Sequence, residues 1–594
     1  MNPLNTEKRN KLSGILTPRQ AFIILLIFQC LVLAFVLLFC SIKYEVSDDF
    51  IVELLLSGGF SGELDWHLLF SNPFLGFILY PLYLINRSIS WYFVCQLGIC
   101  FMSYLALSWV AAHKENKILG IAVTVILTMF SAGDLYIIPQ FTKTAAVVII
   151  SGAILFLDAV FNEEKVIPAV CGALLTILGT FIRFNVLYEV GLFICIPAIY
   201  LTVRGLIRND HKIKWLLTRI IPSLVLVALV FGLDKAGSAV FRADPDYEFY
   251  REYNSLRGAI VDYPYEDYSA FANEMAEIGI SENDYLMLNS WNLGDYEKYD
   301  LETLRQISAI LNRHHVESEV TAQNVFDQIG ERGILLYPIV WCIWLLTIFC
   351  GFANWRRIWI PILSMLMCIF YIGLFYNLGR TVYRVEFGFM FAAAATIIWA
   401  TDRAKESAIE YVRLGVCILL SCAAIIFWGI NWFPKKLNQP DGAPYRENIY
   451  NYLYESWNYA PEKYSLDMQP GKAYEEFTRL ARENPDNIYM LEFLTTIQTY
   501  YYNFSPKRSA ATVFPDNICW IAGVTSGHPA EMKWLSEHGY NSTLRALLDD
   551  NVFYVGNGCS EYALTYLHEN GYPNATVEFI GEVDQYQIYK FHAE

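Results

Sequence analysis

From Ala21 to Ile42 the chain runs for 22 residues without a charged side chain. At about 1.5 Å per residue, a helix of that length crosses the roughly 30 Å hydrocarbon core of a bilayer. The run is too long for a signal-peptide core, and no small-residue cleavage site follows it, so it reads as an uncleaved first membrane helix. Further apolar runs lie near 91–112, 118–138, 141–161, 166–182, 184–203, 220–240, 333–352, 359–376, 385–401 and 413–433. In a bilayer every backbone polar group must be satisfied inside the segment, which helices achieve. The expected fold class is therefore an α-helical polytopic membrane protein of about eleven spans.

Composition agrees with that frame. The 594 residues are 55% hydrophobic and 17% charged, where an average soluble chain has about 25% charged. The aromatic share, 16%, suits two membrane–water interfaces. A formal charge of -16 with no basic stripe argues against a nucleic-acid partner. The charge is unevenly spread. Residues 241–332 carry 7 Lys/Arg against 19 Asp/Glu and residues 434–594 carry 12 against 21, so the apolar remainder is mildly basic at 24 against 19.

Cation-rich connectors stay in the cytoplasm. They are the segment containing Lys8, Arg9, Lys11 and Arg19, then His113 to Lys117, Arg204 to Arg219, Arg356-Arg357, and Arg403 to Arg413. Placing all of these inside requires eleven crossings and makes the short segment 73–86 interfacial or re-entrant. The expected organisation is a cytoplasmic N-terminus at 1–19 and a membrane domain at 20–433, in the plasma membrane. That domain has an outer loop at 43–72 and an acidic helical outer loop at 241–332. An extracytoplasmic soluble domain follows at 434–594.

In the long loop, Ser281-Glu282-Asn283-Asp284 has the capping-box pattern and Asp300 can cap a helix beginning at Leu301. The tail mixes a helical stretch, Ser560–Asn570, with strand-like Val552–Val555 and Tyr586–Phe591, so it reads as a small α/β or α+β domain. Eleven of the 13 cysteines fall in apolar runs. Cys519 and Cys559 do not, and their pairing depends on a geometry the spacing leaves open. No Cys/His zinc spacing, Walker loop, HExxH, GxSxG or EF-hand occurs.

The residues with chemical capacity gather at the expected outer face. Asp48 and Asp49 follow the first span directly, where a carboxylate can act as general base on an acceptor hydroxyl. The same residues, with Ser47, also read as the cap of a juxtamembrane helix starting near Phe50. Lys143, Arg183, Arg380 and Arg384 stand alone at span ends. Each can snorkel to headgroups, but an ionisable group at membrane depth needs a partner, and together they suit a phosphate presented by a lipid. Trp66 and His67 add an aromatic face and a ring nitrogen for a sugar or acceptor, or serve only as interfacial residues.

This arrangement resembles the GT-C superfamily of membrane glycosyltransferases, which use polyprenyl-phosphate sugars. The resemblance is nearest to the bacterial branch that decorates surface polysaccharides, including O-antigen glucosyl transferases. It rests on Asp48-Asp49 after the first span, Asn72-Pro73 before the next apolar segment, Pro139–Thr144 at a helix end, the Arg183 hairpin and the soluble tail. It covers roughly residues 20–400. Segment 73–86 is short for the family's second span, and no diagnostic mannosyltransferase motif is present.

The resemblance implies an outer cavity roofed by the first loop. It implies Asp49 or Asp48 as base, and Lys143, Arg183, Arg380 and Arg384 on the lipid phosphate. The acceptor would be a cell-envelope glycan, lipid or protein, and one displacement would invert the anomeric centre. No nucleotide cofactor is required, and a divalent cation bridging Asp48, Asp49 and the phosphate stays open. The competing readings are a transporter or flippase of lipid-linked glycan, and a surface-polysaccharide polymerase or ligase.

Overall fold

The computed structural model of the chain describes most of residues 16–401, parts of 415–426 and most of 475–593. The predicted run at 413–433 and the connector Arg403 to Arg413 lie largely outside the described residues, as does Cys559. What is described is mostly helical. Among the described residues, seven helices are long and apolar enough to cross a membrane: Pro18–Phe39, Trp91–Ala112, Lys117–Ile137, Phe141–Asn162, Val186–Arg208, Lys212–Ala243 and Trp355–Asn377. Three shorter apolar helices, Pro73–Ile85, Val166–Ile182 and Pro338–Ala353, accompany them.

In chain order the helices of this body are α1 (Pro18–Phe39), α2 (Ser47–Ser57), α3 (Pro73–Ile85), α4 (Trp91–Ala112), α5 (Lys117–Ala132), α6 (Phe141–Asp158), α7 (Val166–Ile182), α8 (Val186–Arg208) and α9 (Lys212–Ala243). Between the last crossing helices lie α10 (Pro245–Val261), α11 (Ala272–Glu277), α12 (Glu282–Asn289), α13 (Leu301–Arg313) and α14 (Ala322–Glu331). Then come α15 (Pro338–Ala353), α16 (Trp359–Asn377) and α17 (Tyr383–Ala400). Ten of the predicted apolar runs therefore coincide with helices.

Local signals explain the starts. Thr17 and Gln20 form a capping box on α1, Asn72 caps α3 ahead of Pro73, and the Gln140 side chain accepts from the Thr142 and Lys143 amides at the head of α6. The capping box at Ser281 and the Asp300 cap of α13 are both present.

The centre of the bundle is α6, whose side chains are buried without a break from Phe141 to Leu157. Apolar residues on every face make such a helix a core element and not a surface one. It packs on α7 through glycines. A Cβ on Gly172 would stand 2.5 Å from the Phe156 amide nitrogen, and one on Gly152 would stand 2.6 Å from the Thr176 nitrogen. Small residues let membrane helices approach this closely, and van der Waals packing then holds them. Gly172→Val should push the pair apart at an overpacking cost of about 1–3 kcal/mol. A lowered melting temperature in detergent is the expected reading; an unchanged one would mean that the contact is slack.

The two ends of the bundle differ. At one end Lys114 Nζ donates to the Trp399 carbonyl at 2.8 Å, Lys165 lies 5.3 Å over the Trp109 ring and Arg357 5.2 Å over Tyr200. The other end carries both polar loops and the C-terminal region: the Ala511 amide donates to Ser57 Oγ at 3.2 Å, Tyr250 Oη to the Val524 carbonyl at 3.0 Å, and Arg545 pairs with Asp295 at 3.0 Å. Helix α3 begins and ends at this second end. Asn72 before it donates its amide to the Phe181 carbonyl at 2.8 Å, and Arg87 after it reaches the Gly62 carbonyl at 3.0 Å. Both ends of this single 13-residue helix therefore lie at the same end of the bundle.

The C-terminal region comprises α18 (Glu475–Glu483), β1 (Ile488–Leu491), β2 (Ile518–Trp520), α19 (Pro529–Glu537), α20 (Thr543–Ala546), β3 (Val552–Val555), α21 (Ser560–Glu569), β4 (Thr576–Val583) and β5 (Tyr586–His592). The sheet order is β2-β1-β3-β5-β4. The first three are parallel and the β5–β4 hairpin is antiparallel. Burial follows this: β1 and β2 are covered on both faces, whereas β4 alternates at the edge. Cys519 is buried in β2.

Candidate functional site

Helix α2 starts at Ser47 with Val46 as its cap residue and no side-chain capping bond, three residues earlier than the sequence predicts. Both aspartates therefore lie in its first turn and not at its cap. They face different surroundings. Asp49 is fully buried and accepts from Tyr92 Oη at 2.9 Å, Gln96 Nε2 at 2.5 Å and the Phe141 amide at 3.1 Å. Burial pushes its carboxyl up to about 7, against the lowering effect of those donors. Asp49 thus fastens α2 to α4 and to the head of α6. Asp48 is half-buried, and its charge acts on Asp49, Arg183 and Tyr250.

The four predicted cations divide in the same way. Lys143 is sealed, with Nζ 2.6 Å from Glu45 Oε2 and 3.3 Å from Asp134 Oδ1, beneath the rings of Tyr383 and Phe387. It sits in a buried triad of charges and does not line the cavity described next. Arg183 follows α7, donates to Thr142 Oγ1 at 2.9 Å and lies 4.9 Å over the Phe141 ring. It interacts electrostatically with Arg384, Glu189, Asp48 and Arg380. Arg380 in turn pairs with Asp262 of the long loop at 3.0 Å. Three of the predicted arginines and Asp48 therefore share one neighbourhood at the end of the bundle that carries the sheet.

Beside them lies a cavity of about 490 Å³. Arg183, Asn72, Asn185 and Tyr188 line one side, and Asp234, Lys235, Phe241, Tyr250, Arg251 and Asn254 the other. Amides, aromatic faces and cations around a half-open space suit a sugar carrying a phosphate. The Asn72 side chain also donates to the Leu233 carbonyl at 3.2 Å, holding α9 against the head of α3. Gly237 makes that approach feasible, since a Cβ there would sit 2.5 Å from Asn72 Nδ2.

Asp234, Lys235, Arg251 and Glu189 are absent from the sequence-based selection. The signal for the first two was present: an Asp-Lys pair inside the apolar run 220–240, where an ionisable residue points to a cavity or a partner.

Trp66 and His67 do not line the cavity. His67 is stacked between Trp66 at 3.8 Å and Tyr247 at 3.6 Å, and its Nδ1 lies 3.0 Å from Asp65 Oδ1. Tyr247 Oη donates to the other Asp65 oxygen at 2.7 Å, and buried His528 comes within 3.7 Å of it. This cluster clasps the first loop, the long loop and the C-terminal region behind the cavity wall formed by Phe241 and Tyr250. Among the described residues, no three His, Cys, Asp or Glu side chains gather in a metal-holding group. No protein-family model, curated protein or solved structure matches the chain.

Proposed function

We propose that this membrane protein is a glycosyltransferase of the GT-C type, which moves a sugar from a polyprenyl-phosphate donor to a cell-envelope glycan, lipid or protein acceptor. One arrangement supports the reading: Arg183 lines a cavity of aromatic and amide side chains at the bundle end that bears the sheet, and Asp48, Arg380 and Arg384 lie within electrostatic reach of it. In the proposed orientation that end is extracytoplasmic and the cation-rich end cytoplasmic, with eleven crossings and α3 interfacial or re-entrant.

The chemistry follows from the charges. The acceptor oxygen attacks the anomeric carbon while the bond from that carbon to the phosphate oxygen breaks, and the phosphate leaves with the electron pair. Fixed guanidinium groups stabilise that growing negative charge without reorganising at the moment of reaction. Arg183 is held for this by Thr142 and Phe141, and Arg380 by Asp262. The acceptor proton passes to a carboxylate, and of the adjacent aspartates Asp48 is the one with partial exposure. Asp49 and Lys143 act as framework in this reading. Attack from the face opposite the leaving phosphate inverts the anomeric centre.

The test is donor turnover by the purified protein with a panel of polyprenyl-phosphate sugars and a mixed glycan acceptor. Release of polyprenyl phosphate from one donor, with an inverted product, is the expected result. Arg183→Gln should lower kcat by about 10²-fold, the scale seen when one preorganised donor to a developing oxyanion is removed. Folded protein that consumes none of the donors yet binds lipid-linked glycan would replace the transferase with a carrier.

A further inference from the structure

At the bundle end opposite the sheet, two cavities meet. The first, about 640 Å³, is a groove between α8 and α16 lined by Ile199, Val203, Ile207, Leu363 and Met367, with Arg204 at its margin. Ile199, Val203 and Ile207 are 63%, 51% and 77% exposed, so the groove opens outward on the flank of the bundle. The second, about 530 Å³, is a polar cup in the turn between α8 and α9, lined by Arg208, His211, Lys214, Arg219 and Asp210 with Trp215. Arg208 lines both. The cup sets three cations against one carboxylate.

An apolar channel that runs into a cationic cup has the shape and polarity of one kind of ligand. We infer that this is a binding site for an anionic phospholipid of the leaflet opposite the candidate active site. The acyl chain lies in the groove and the phosphate headgroup sits among Arg208, Lys214 and Arg219. Tyr200 and Trp359 border the groove and Trp215 the cup, and Trp and Tyr are the side chains enriched at bilayer interfaces. Basic pockets between membrane helices hold polyanionic headgroups through several charge-assisted bonds, which favours a lipid with more than one phosphate.

The site is also built, since its wall depends on one glycine. A Cβ on Gly205 would stand 1.9 Å from the Trp215 ring, so only glycine lets that indole lie across α8 and close the turn. Trp215 is backed by Phe161, whose ring centre is 5.8 Å away.

The test uses the full chain in nanodiscs of phosphatidylcholine doped with tetraoleoyl cardiolipin, phosphatidylglycerol or undecaprenyl phosphate, followed by native mass spectrometry. Retained cardiolipin on the wild type, at least tenfold over phosphatidylcholine, is the expected result. Arg208→Gln should cut that preference about tenfold. Gly205→Leu should cut it similarly with every charge in place, because Trp215 must move. Equal retention of phosphatidylcholine overturns the proposal without recourse to any variant. Preferential retention of undecaprenyl phosphate, or cardiolipin held equally by Arg208→Gln, overturns it as well.

Discussion

Asp48→Asn is expected to lower glycosyl transfer by about 10²- to 10⁴-fold, the range that a positioned general base contributes, while the protein keeps its melting temperature. Asparagine is close to the shape of aspartate, and the half-buried side chain at position 48 is not among the bonds that fasten α2. Asp49→Asn should do the reverse. Its carboxylate accepts from Tyr92, Gln96 and the Phe141 amide in a fully buried setting. An amide there must turn two hydrogens towards groups that are themselves donors. Leaving buried donors unmatched costs about 1–3 kcal/mol, so the melting temperature should fall while the folded fraction turns over normally. Kinetics and thermal unfolding on the two variants separate the roles. If Asp49→Asn abolishes turnover at unchanged stability and Asp48→Asn does not, the base has been assigned to the wrong residue of the pair.

Why the sequence leaves that pair unresolved is a matter of helix geometry. Successive residues on a helix are about 100° apart, so one of two adjacent aspartates can face the bundle and the other the cavity. Which does so depends on where Tyr92, Gln96 and Phe141 arrive, and these come from elements far along the chain. The helices themselves needed no such knowledge. The length of each apolar run is set by the bilayer, and the caps at Asn72, Gln140, Ser281 and Asp300 are local signals. That the short segment 73–86 starts and ends at one end of the bundle was legible as well, because a crossing there would put the cation-rich connectors on different sides. The parallel strands β1 and β2 were not, being four and three residues long and covered on both faces.

The cations show the limit from the other side. A lone Lys or Arg at the end of a span declares that a partner is needed and says nothing about which. Arg380 finds Asp262 in the long loop, an aspartate with no sequence signal beyond its charge. Arg183 keeps company with Arg384 and Asp48. Asp234 and Lys235 were passed over because the run around them is apolar enough to be a span. In a membrane chain that is the context in which an ionisable pair carries most information.

Lys143→Met is expected to destabilise the protein by about 3–5 kcal/mol, the cost of leaving a buried charge without its partner. The argument is one of desolvation. Glu45 and Asp134 are buried around Nζ at 2.6 and 3.3 Å. Without the ammonium, two carboxylates in a low-dielectric site repel each other, and neither can reach water. The cost should be largely recovered in the triple variant Lys143→Met, Glu45→Gln, Asp134→Asn. Replacing a whole buried ion cluster by neutral groups is often close to neutral, whereas breaking it is not. Thermal unfolding in detergent measures both steps. Donor turnover by the refolded triple variant then decides between the two roles open to this lysine. As framework beneath Tyr383 and Phe387, its loss is repaired once the triad is neutral, and turnover returns with the fold. If the triple variant is stable yet turns over about 10²-fold more slowly, Lys143 meets the lipid phosphate during the reaction. The sealed triad would then have to open.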